Sequence, residues 1–258
     1  MPRLSLPGVD LWYEDTGGSG TPVILLHAAS GTTDCWIHQL PTFVAVGYRC
    51  ISYDRRTWGR SRPTDSGPQP GFAGDDLHAL LDALGLERVN LVGTAAGAIP
   101  ALDYTLSHPE RVISLVAANT IGGVQEADYL ALQHGLRPPQ IQELPVELRE
   151  LGPSYRGRDP EGAARWLEID RSSRPLGPIP TQPLRQPITY QRLAGIQCPV
   201  MVLSGEADLL SPPALMRLLS DHIPASRFVS LPDAGHAGFW ERPHVWNGLV
   251  LEFLAQHS

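Results

Sequence analysis

The sequence predicts one α/β domain in which a mostly parallel, doubly wound sheet carries an inserted helical segment. Short, continuous apolar runs recur along the chain, as in strands that are buried on both faces. Segments with apolar residues at helical spacing alternate with these runs, which is typical of parallel strands joined by right-handed crossovers. One long stretch, residues 121–193, lacks such runs and is rich in proline.

The predicted strands fall into an edge hairpin and a series of buried strands. Residues 4–15 alternate weakly around Pro7-Gly8 and indicate a small hairpin at a sheet edge. Buried strands are predicted at residues 22–27, 48–53, 88–92, 112–118, 200–203 and 228–231. Because these strands are expected to be parallel, any catalytic residues should follow the carboxyl ends of the strands.

The helices are predicted from apolar spacing and from their end signals. One should begin near Thr33 or Asp34, with Asp34 as its cap and an early end at Pro41. Leu77, Leu80, Leu81 and Leu84 share one helical face that stops at Gly85. Further helices are expected at residues 96–107, 213–222 and 245–254, with Pro100 in the first turn of the first of them.

The stretch 121–193 differs in composition from the rest of the chain. It holds 9 arginines and 9 acidic residues, so the net charge of -7 belongs to the other segments. Asp159-Pro160 indicates the start of a helix, with an acidic cap and proline at the first helical position. We expect a core built from residues 1–120 and 194–258, and a helical cap over the active site at residues 121–193.

Composition excludes several classes of function. A net charge of -7 argues against a nucleic-acid partner, and all 20 basic residues are arginine, so no Schiff-base or phosphate-loop lysine exists. Three scattered cysteines predict neither a disulfide framework nor a metal site. No apolar run approaches the ~20 residues of a membrane span, and no secretory signal is visible. We therefore expect a cytoplasmic protein without a membrane partner.

The stretch Leu91–Ala98 predicts a strand, a tight turn between two glycines and the start of a helix. This is the context of the G-x-S-x-G nucleophile elbow, whose central serine projects above the sheet. The central residue here is Ala95, and a methyl group cannot attack a carbonyl. The chain therefore frames a nucleophile position without carrying a nucleophile.

Two residues follow later strands in the order expected of a catalytic acid and histidine. Asp208 comes after the strand at 200–203, and His236 follows the strand at 228–231. A buried carboxylate fixes the tautomer of a histidine and stabilises its protonated ring. Glu206 is the rival acid, although its longer side chain suits this reach less well.

On these motifs the chain resembles the α/β-hydrolase fold family, in particular bacterial enol-lactonases, esterases and carbon–carbon-bond hydrolases. The resemblance covers nearly the whole length and is weakest in the cap. It runs through residues 27–31, 53–56, 59–61, 91–98, 108–112, 205–208 and 235–240. The resemblance implies a hydrolase with a catalytic triad and no cofactor, acting on a small-molecule substrate.

The resemblance also implies an oxyanion hole made by two backbone N–H groups. One would come from Ala96, and the other from Ala29 or Ala28. Three departures from the family pattern stand out: Ala28 where glycine is usual, Thr57 at a turn position usually held by glycine, and Ala95. Because backbone groups survive a change of side chain, the oxyanion hole could persist without the serine.

The substrate-contacting residues are the least defined. Trp36, Trp58 and Trp240 are candidates at the pocket mouth, with core packing as the alternative. Four cap arginines could hold a substrate carboxylate or could be solvated surface charges: Arg137, Arg156, Arg165 and Arg171. His27 is expected to be structural, bonding within the oxyanion loop.

Three functions remain open from the sequence. The first is a serine hydrolase of esters, lactones or carbon–carbon bonds that is inactive because alanine replaces the nucleophile. The second is an enzyme that needs no serine and uses Asp208 and His236 as a general base, for lactone hydrolysis, decarboxylation, elimination or cofactor-free oxygenation. The third is a non-catalytic binding protein. A homo-oligomer is left open in each case.

Overall fold

The computed structural model describes residues 3–174 and 181–257, and these form one nine-stranded sheet. The strands are β1 (Arg3–Leu6), β2 (Val9–Asp15), β3 (Pro22–Leu26), β4 (Arg49–Tyr53), β5 (Arg62–Pro63), β6 (Val89–Thr94), β7 (Val112–Ala118), β8 (Val200–Gly205) and β9 (Arg227–Leu231). Their order is β1-β2-β4-β3-β6-β7-β8-β9, and β5 pairs with β2. The mostly parallel sheet that the sequence predicts is confirmed.

The parallel part of the sheet begins at β4. Strands β4, β3, β6, β7, β8 and β9 run parallel, whereas β2 pairs antiparallel with β1, β4 and β5. The predicted edge hairpin is thus present as β1 and β2. The carboxyl ends of β6, β7, β8 and β9 lie side by side, which brings the residues that follow them to one edge of the sheet.

Helices cover both faces of the sheet and bury two apolar layers. One layer packs α2 (Ala73–Ala83), α3 (Ala98–Ser107) and α10 (Pro213–Asp221) on the sheet. The other packs α1 (Leu40–Ala45), α11 (Gly238–Glu241) and α12 (Pro243–Ala255) on the opposite face. Leucines at helical spacing in α2 face the sheet, and Gly85 ends that helix with a φ of +64°. The doubly wound architecture follows from these two layers.

Residues 121–193 contain helices and, within the described part, no sheet strand. The helices are α4 (Ala127–Leu136), α5 (Gln140–Glu143), α6 (Val146–Glu150), α7 (Pro153–Arg158), α8 (Pro160–Ser173) and α9 (Tyr190–Leu193). Asp159 caps α8 by accepting from the N–H of Gly162, and Pro160 occupies the first turn, as predicted. Residues 175–180, which belong to the predicted cap, lie outside the described residues.

The helix predicted near residue 33 differs from the expectation. Only a short 3₁₀ turn forms at Thr33–Trp36, and Thr32, rather than Asp34, caps it through its side-chain oxygen. The regular helix α1 begins at Leu40, with Pro41 in its first turn. Proline was expected to end a helix here, but it starts one because the N–H that it lacks is unpaired in a first turn anyway.

None of the helices within residues 3–174 and 181–257 has both the length and the apolar character that crossing a bilayer requires.

Candidate active site

The turn after β6 has the geometry of a nucleophile elbow. Ala95 adopts a left-handed φ of +50°, and a 3₁₀ turn at Ala95–Gly97 leads directly into α3. A Cβ on Gly93 would lie 2.8 Å from the backbone nitrogen of Ala98, and one on Gly97 would collide with the carbonyl oxygen of Leu26. Both glycines are therefore required by the close approach of the elbow to its neighbours. The elbow holds its strained shape although its central side chain is a methyl group.

Asp208 and His236 meet at the carboxyl ends of β8 and β9. The His236 Nδ1 atom lies 3.0 Å from Oδ1 and 2.9 Å from Oδ2 of Asp208. Both side chains are buried, with only 10% of the histidine side chain exposed. Because Nδ1 contacts the carboxylate, Nε2 is the ring nitrogen left free to exchange a proton. The rival acid, Glu206, is exposed and contacts Ser230 instead.

Four further donors hold the Asp208 carboxylate. Oδ1 accepts from the backbone N–H groups of Leu210 (2.7 Å) and Ser211 (2.9 Å). Oδ2 accepts from the Ser211 hydroxyl (2.7 Å) and from Nδ2 of Asn119 (2.9 Å). Asn119 follows β7 and has a φ of +47°, which aims its side chain at the acid. The sequence reasoning missed Asn119 and Ser211, although Asn119 could have been found as the residue at the end of a strand beside the elbow.

The electrostatics of this pair favour a charged acid and a basic ring. Burial opposes charge on Asp208, but His236 and the hydrogen-bond donors outweigh it and hold the pKa of Asp208 well below its usual range. Burial alone would lower the pKa of His236; the charge and hydrogen bonds of Asp208 reverse this, so the pKa of His236 is raised. Two weaker influences are Glu150, which raises this pKa, and Arg137, which lowers it.

A cleft of about 170 Å³ opens onto the elbow and the histidine. Concave, largely apolar clefts of this kind are typical places for a small molecule to bind. It is lined by Ala28, Ala29, Ser30, Ala95, Ala96, Ile99, Asn119, Ile121, Arg137, Glu150, Leu210 and His236. The structure thus brings Ala95, His236 and the three alanines predicted for the oxyanion hole to one cleft. Ile121, Arg137 and Glu150 come from the predicted cap.

The loop that carries Ala28 and Ala29 is fixed by two side chains. The Trp58 indole N–H donates to the Ala29 carbonyl oxygen at 2.8 Å. His27 lies with Nδ1 2.6 Å from the Ala28 carbonyl oxygen, while its Nε2 accepts from the backbone N–H of Arg55 at 2.9 Å. Burial keeps the pKa of His27 well below its usual value, so the ring is neutral and its single proton sits on Nδ1. His27 has the structural position that the sequence predicts.

The departures at Ala28 and Thr57 have different consequences. Thr57 keeps a left-handed φ of +75°, so the turn retains the conformation that glycine favours, at the cost of strain in a β-branched residue. Its hydroxyl is buried and without a partner among the described residues. Ala28 is buried and has no left-handed φ, so glycine is not needed there.

Of the three candidate tryptophans, only Trp58 contacts a residue of the cleft through a hydrogen bond, which it donates to Ala29. Trp36 is fully buried and packs on Phe239 and Trp246, with ring centroids 5.0 and 6.5 Å away. Trp240 is also buried and donates to the Gly162 carbonyl oxygen. Trp36 and Trp240 are therefore packed in the core, and neither lines the cleft at Ala95.

The four arginines of the predicted cap also differ in their surroundings. Arg137 lines the cleft. Arg156 donates to the carbonyl oxygens of Glu147 and Leu151, whereas Arg165 and Arg171 are exposed on α8. Only Arg137 of this set can contact a molecule bound beside Ala95.

Glu241, which holds the loop before His236, is another residue that the sequence reasoning missed. Its carboxylate accepts from the backbone N–H of Gly235 through both oxygens and from the N–H of Gly152, each at 3.0 Å. It therefore ties the loop before His236 to the start of α7. Burial raises the pKa of Glu241 to about 7.

Comparisons with known proteins agree with this geometry. A family model described as the alpha/beta hydrolase family matches residues 23–248. The chain is 30% identical to a Mycobacterium tuberculosis protein named as a non-heme bromoperoxidase, BpoC, over 96% of this chain and 98% of that one. It is also 30% identical to 2-hydroxy-6-oxononadienedioate/2-hydroxy-6-oxononatrienedioate hydrolase 2 of Pseudomonas putida, over 96% and 92% of the two chains.

Among solved structures, the chain is similar to Est816, described as an N-acyl homoserine lactone degrading enzyme. The TM-score is 0.77 with 27% identity, over 98% of this chain and 100% of that one. The predicted fold, family and hydrolase class are confirmed by these matches. The chain belongs to the alpha/beta hydrolase family.

Proposed function

We propose that the cleft hydrolyses a small organic ester or lactone by direct attack of water, with His236 as the base. The observation that carries the proposal is a fully held Asp208–His236 pair at a cleft whose nucleophile position offers only the Ala95 methyl group. A binding protein would not need a buried acid to raise the basicity of a histidine. A water molecule has the size to occupy the space that a serine hydroxyl would fill.

The proposed reaction balances without a covalent intermediate. The water oxygen bonds to the carbonyl carbon while Nε2 of His236 takes its proton, and Asp208 stabilises the protonated ring. The carbonyl electrons move to the oxygen, which accepts hydrogen bonds from the N–H groups of Ala29 and Ala96. The tetrahedral adduct then collapses, the bond to the leaving oxygen breaks, and the ring returns the proton to it. The backbone donors would supply roughly 3–4 kcal/mol each.

A second candidate is a triad hydrolase that lacks its nucleophile and only binds substrate. The left-handed φ of +50° at Ala95 favours it, because this strain has an evident use only when a side-chain hydroxyl must be presented. In that case Ala95→Ser would complete the triad. A 2-hydroxy-6-oxononadienedioate, the compound in the name of the Pseudomonas putida relative, is the alternative substrate for either candidate.

One set of assays tests both candidates. The unmodified protein, Ala95→Ser and His236→Ala are compared on 4-nitrophenyl acetate and on the lactone dihydrocoumarin. We expect the unmodified protein to turn over without a product burst, and His236→Ala to lose at least about 10²-fold. If only Ala95→Ser is active, the second candidate replaces the first. If all three proteins are inactive on a broad panel of esters and lactones, both are wrong.

A further inference from the structure

Two consecutive arginines after β4 differ in how their charges are satisfied. Arg56 is buried, and each nitrogen of its guanidinium has a partner. Nε and Nη2 donate to the Asp76 carboxylate, and Nη1 donates to the carbonyl oxygens of Gly8 and Pro68. Arg56 is therefore a structural residue that joins the N-terminal hairpin to α2.

Arg55 has no such set of partners. Its Nε and Nη2 are buried, and neither has a hydrogen-bond partner among the described residues. Its guanidinium carbon lies 4.4 Å from the centroid of the Trp58 ring, which orients the group but supplies no acceptor. Burial lowers the pKa of Arg55 to about 10, so the group is still charged at neutral pH. Leaving buried donors of a cation unpaired costs free energy that a bound anion would recover.

The Arg55 side chain lines a cleft beside the proposed reaction site. Trp58 and Gln182 form part of its wall, and no acidic residue is among its described lining residues. Ala96 and Ile99 line both this cleft and the one that contains Ala95, so the two are neighbours. Ala96 carries one of the amides proposed for the oxyanion hole. A molecule whose carbonyl sits at that amide can extend towards Arg55.

Arg137 is the competing cation because it lines the reaction cleft itself. Glu150 lines the same cleft, and one of its carboxylate oxygens has no partner among the described residues. A negative ligand group beside Arg137 would therefore also face a carboxylate, which opposes its binding. The described lining of the Arg55 cleft includes no such opposing charge.

We propose that Arg55 binds a carboxylate of the substrate, so that the site selects esters or lactones bearing a negative group at the acyl end. Because Nε and Nη2 are closed to solvent in this structure, the guanidinium must turn towards the cleft before these N–H groups can donate to the carboxylate. Its forked donors then suit a two-pronged contact. This inference rests on the proposed function for turnover, but anion binding itself does not. The substrate class follows from the chemistry of the side chain that recognises it.

Binding without turnover tests the subsite first. Isothermal titration calorimetry measures glutarate and neutral dimethyl glutarate against the unmodified protein, Arg55→Gln and Arg55→Lys. We expect glutarate to bind the unmodified protein at least about tenfold more tightly than the diester, and Arg55→Gln to abolish this preference. Arg55→Lys should keep part of it, because the charge stays and the forked donor set is lost. Arg217→Gln is the matched control. The guanidinium carbon of Arg217 also lies over an aromatic ring, 4.2 Å from the centroid of Phe228, but this arginine is exposed and lines neither cleft.

Three outcomes would overturn the subsite: no preference of the unmodified protein for glutarate, an unchanged preference in Arg55→Gln, or a preference that is lost in Arg137→Gln instead. Thermal melting of Arg55→Gln checks its fold, and Arg55→Lys carries the test if that variant does not fold. A separate arm compares hydrolysis of mono-4-nitrophenyl glutarate and its methyl ester, with a lower KM expected for the anionic ester. Glutarate binding without hydrolysis of either ester, or of the broader panel of esters and lactones, would reject the proposed function and leave the subsite standing.

Discussion

Single residues in unusual conformations define the site of this protein. Ala95, Asn119 and Thr57 all have left-handed φ values, of +50°, +47° and +75°. Such backbone costs about 1–3 kcal/mol at a residue other than glycine and persists only where the surroundings enforce it. At Ala95 the strained residue places only a methyl group at the cleft, and at Asn119 it aims the side chain at Asp208. At Thr57 it accompanies a turn whose neighbour Trp58 supports the oxyanion loop.

Replacing Thr57 by glycine should stabilise the fold. The change removes a β-branched side chain from the left-handed region and a buried hydroxyl without a described partner, and these gains exceed the entropic cost of glycine. We expect the free energy of unfolding to rise by about 1 kcal/mol in a urea titration. Thr21→Gly, at a residue with an ordinary φ, is the control and should be neutral or destabilising. A destabilised Thr57→Gly would show that the hydroxyl has a role the backbone does not explain.

The His236 ring predicts the pH dependence of turnover. A protonated ring cannot accept a proton, so kcat/KM should rise with pH and level off above the raised pKa of His236. In Asp208→Asn, burial is no longer opposed by the carboxylate, so the rise should move to lower pH. The rate should also fall by roughly 10³–10⁴-fold, because the tautomer is no longer fixed. The dependence of kcat/KM on pH, measured for both proteins on one ester, tests this. A rise that occurs at the same pH in Asp208→Asn as in the unmodified protein would contradict it.

At the scale of elements, the site depends on how closely the chain segments approach. The elbow packs against the end of β3 at Gly97, and Gly93 packs against the start of α3. The loop before His236 packs against the start of α7. These contacts involve backbone atoms, which cannot move aside as a flexible side chain can. The positions of Ala95 and His236 are therefore set by the sheet and by α7, rather than by contacts between the two residues.

The pair Gly97→Ala and Gly135→Ala tests the close approach. A Cβ at residue 97 would collide with the backbone of Leu26, whereas a Cβ at residue 135 in α4 would meet nothing within 4 Å. We expect Gly97→Ala to lose at least about 2 kcal/mol of folding free energy, or not to fold. Gly135→Ala should gain about 1 kcal/mol because alanine favours a helix. Equal stability of the two variants in thermal and chemical unfolding would contradict the packing described for the elbow.

Glu241 predicts a pH dependence of folding stability. Its pKa is about 7 in the folded protein against 4.5 for an ordinary glutamate, so the folded state binds the proton more tightly. This contribution is fully present below pH 4.5 and is lost as the pH rises through 7, by up to about 3 kcal/mol. Glu241→Gln does not titrate, so the stability difference between the two proteins should change over this interval. The exposed Glu87→Gln is the control, and a pH-independent difference for Glu241→Gln would refute the assignment.

For the whole molecule, apolar patterning was enough to predict the parallel strands and the main helices of the core. It did not predict the start of α1 or the separate cap helices other than α8. The sequence could not show that Arg56 is paired while Arg55 is not, because the two arginines are adjacent and differ only in the residues that fold around them. Trp36 and Trp240 were candidates for the pocket mouth with core packing as the alternative, and the structure buries both. The sequence could not separate the two interpretations, since an aromatic residue after a motif has the same pattern in a core. Glu241 was missed because its partners are backbone N–H groups of distant segments.

The relatives of this chain show its family, its fold and its hydrolase class, and the reaction at Ala95 is what we propose. That claim is direct attack of water, with His236 as the base and no covalent intermediate. It requires that the unmodified protein releases product without an acyl group becoming covalently bound to it.

Mass spectrometry of the intact protein during hydrolysis of 4-nitrophenyl acetate tests this most directly, with product release followed in parallel. Direct attack of water predicts continuous release by the unmodified protein with no acetyl adduct, loss of release in His236→Ala, and an adduct on Ala95→Ser alone. Release that His236→Ala leaves unchanged, or an adduct on the unmodified protein, would contradict it.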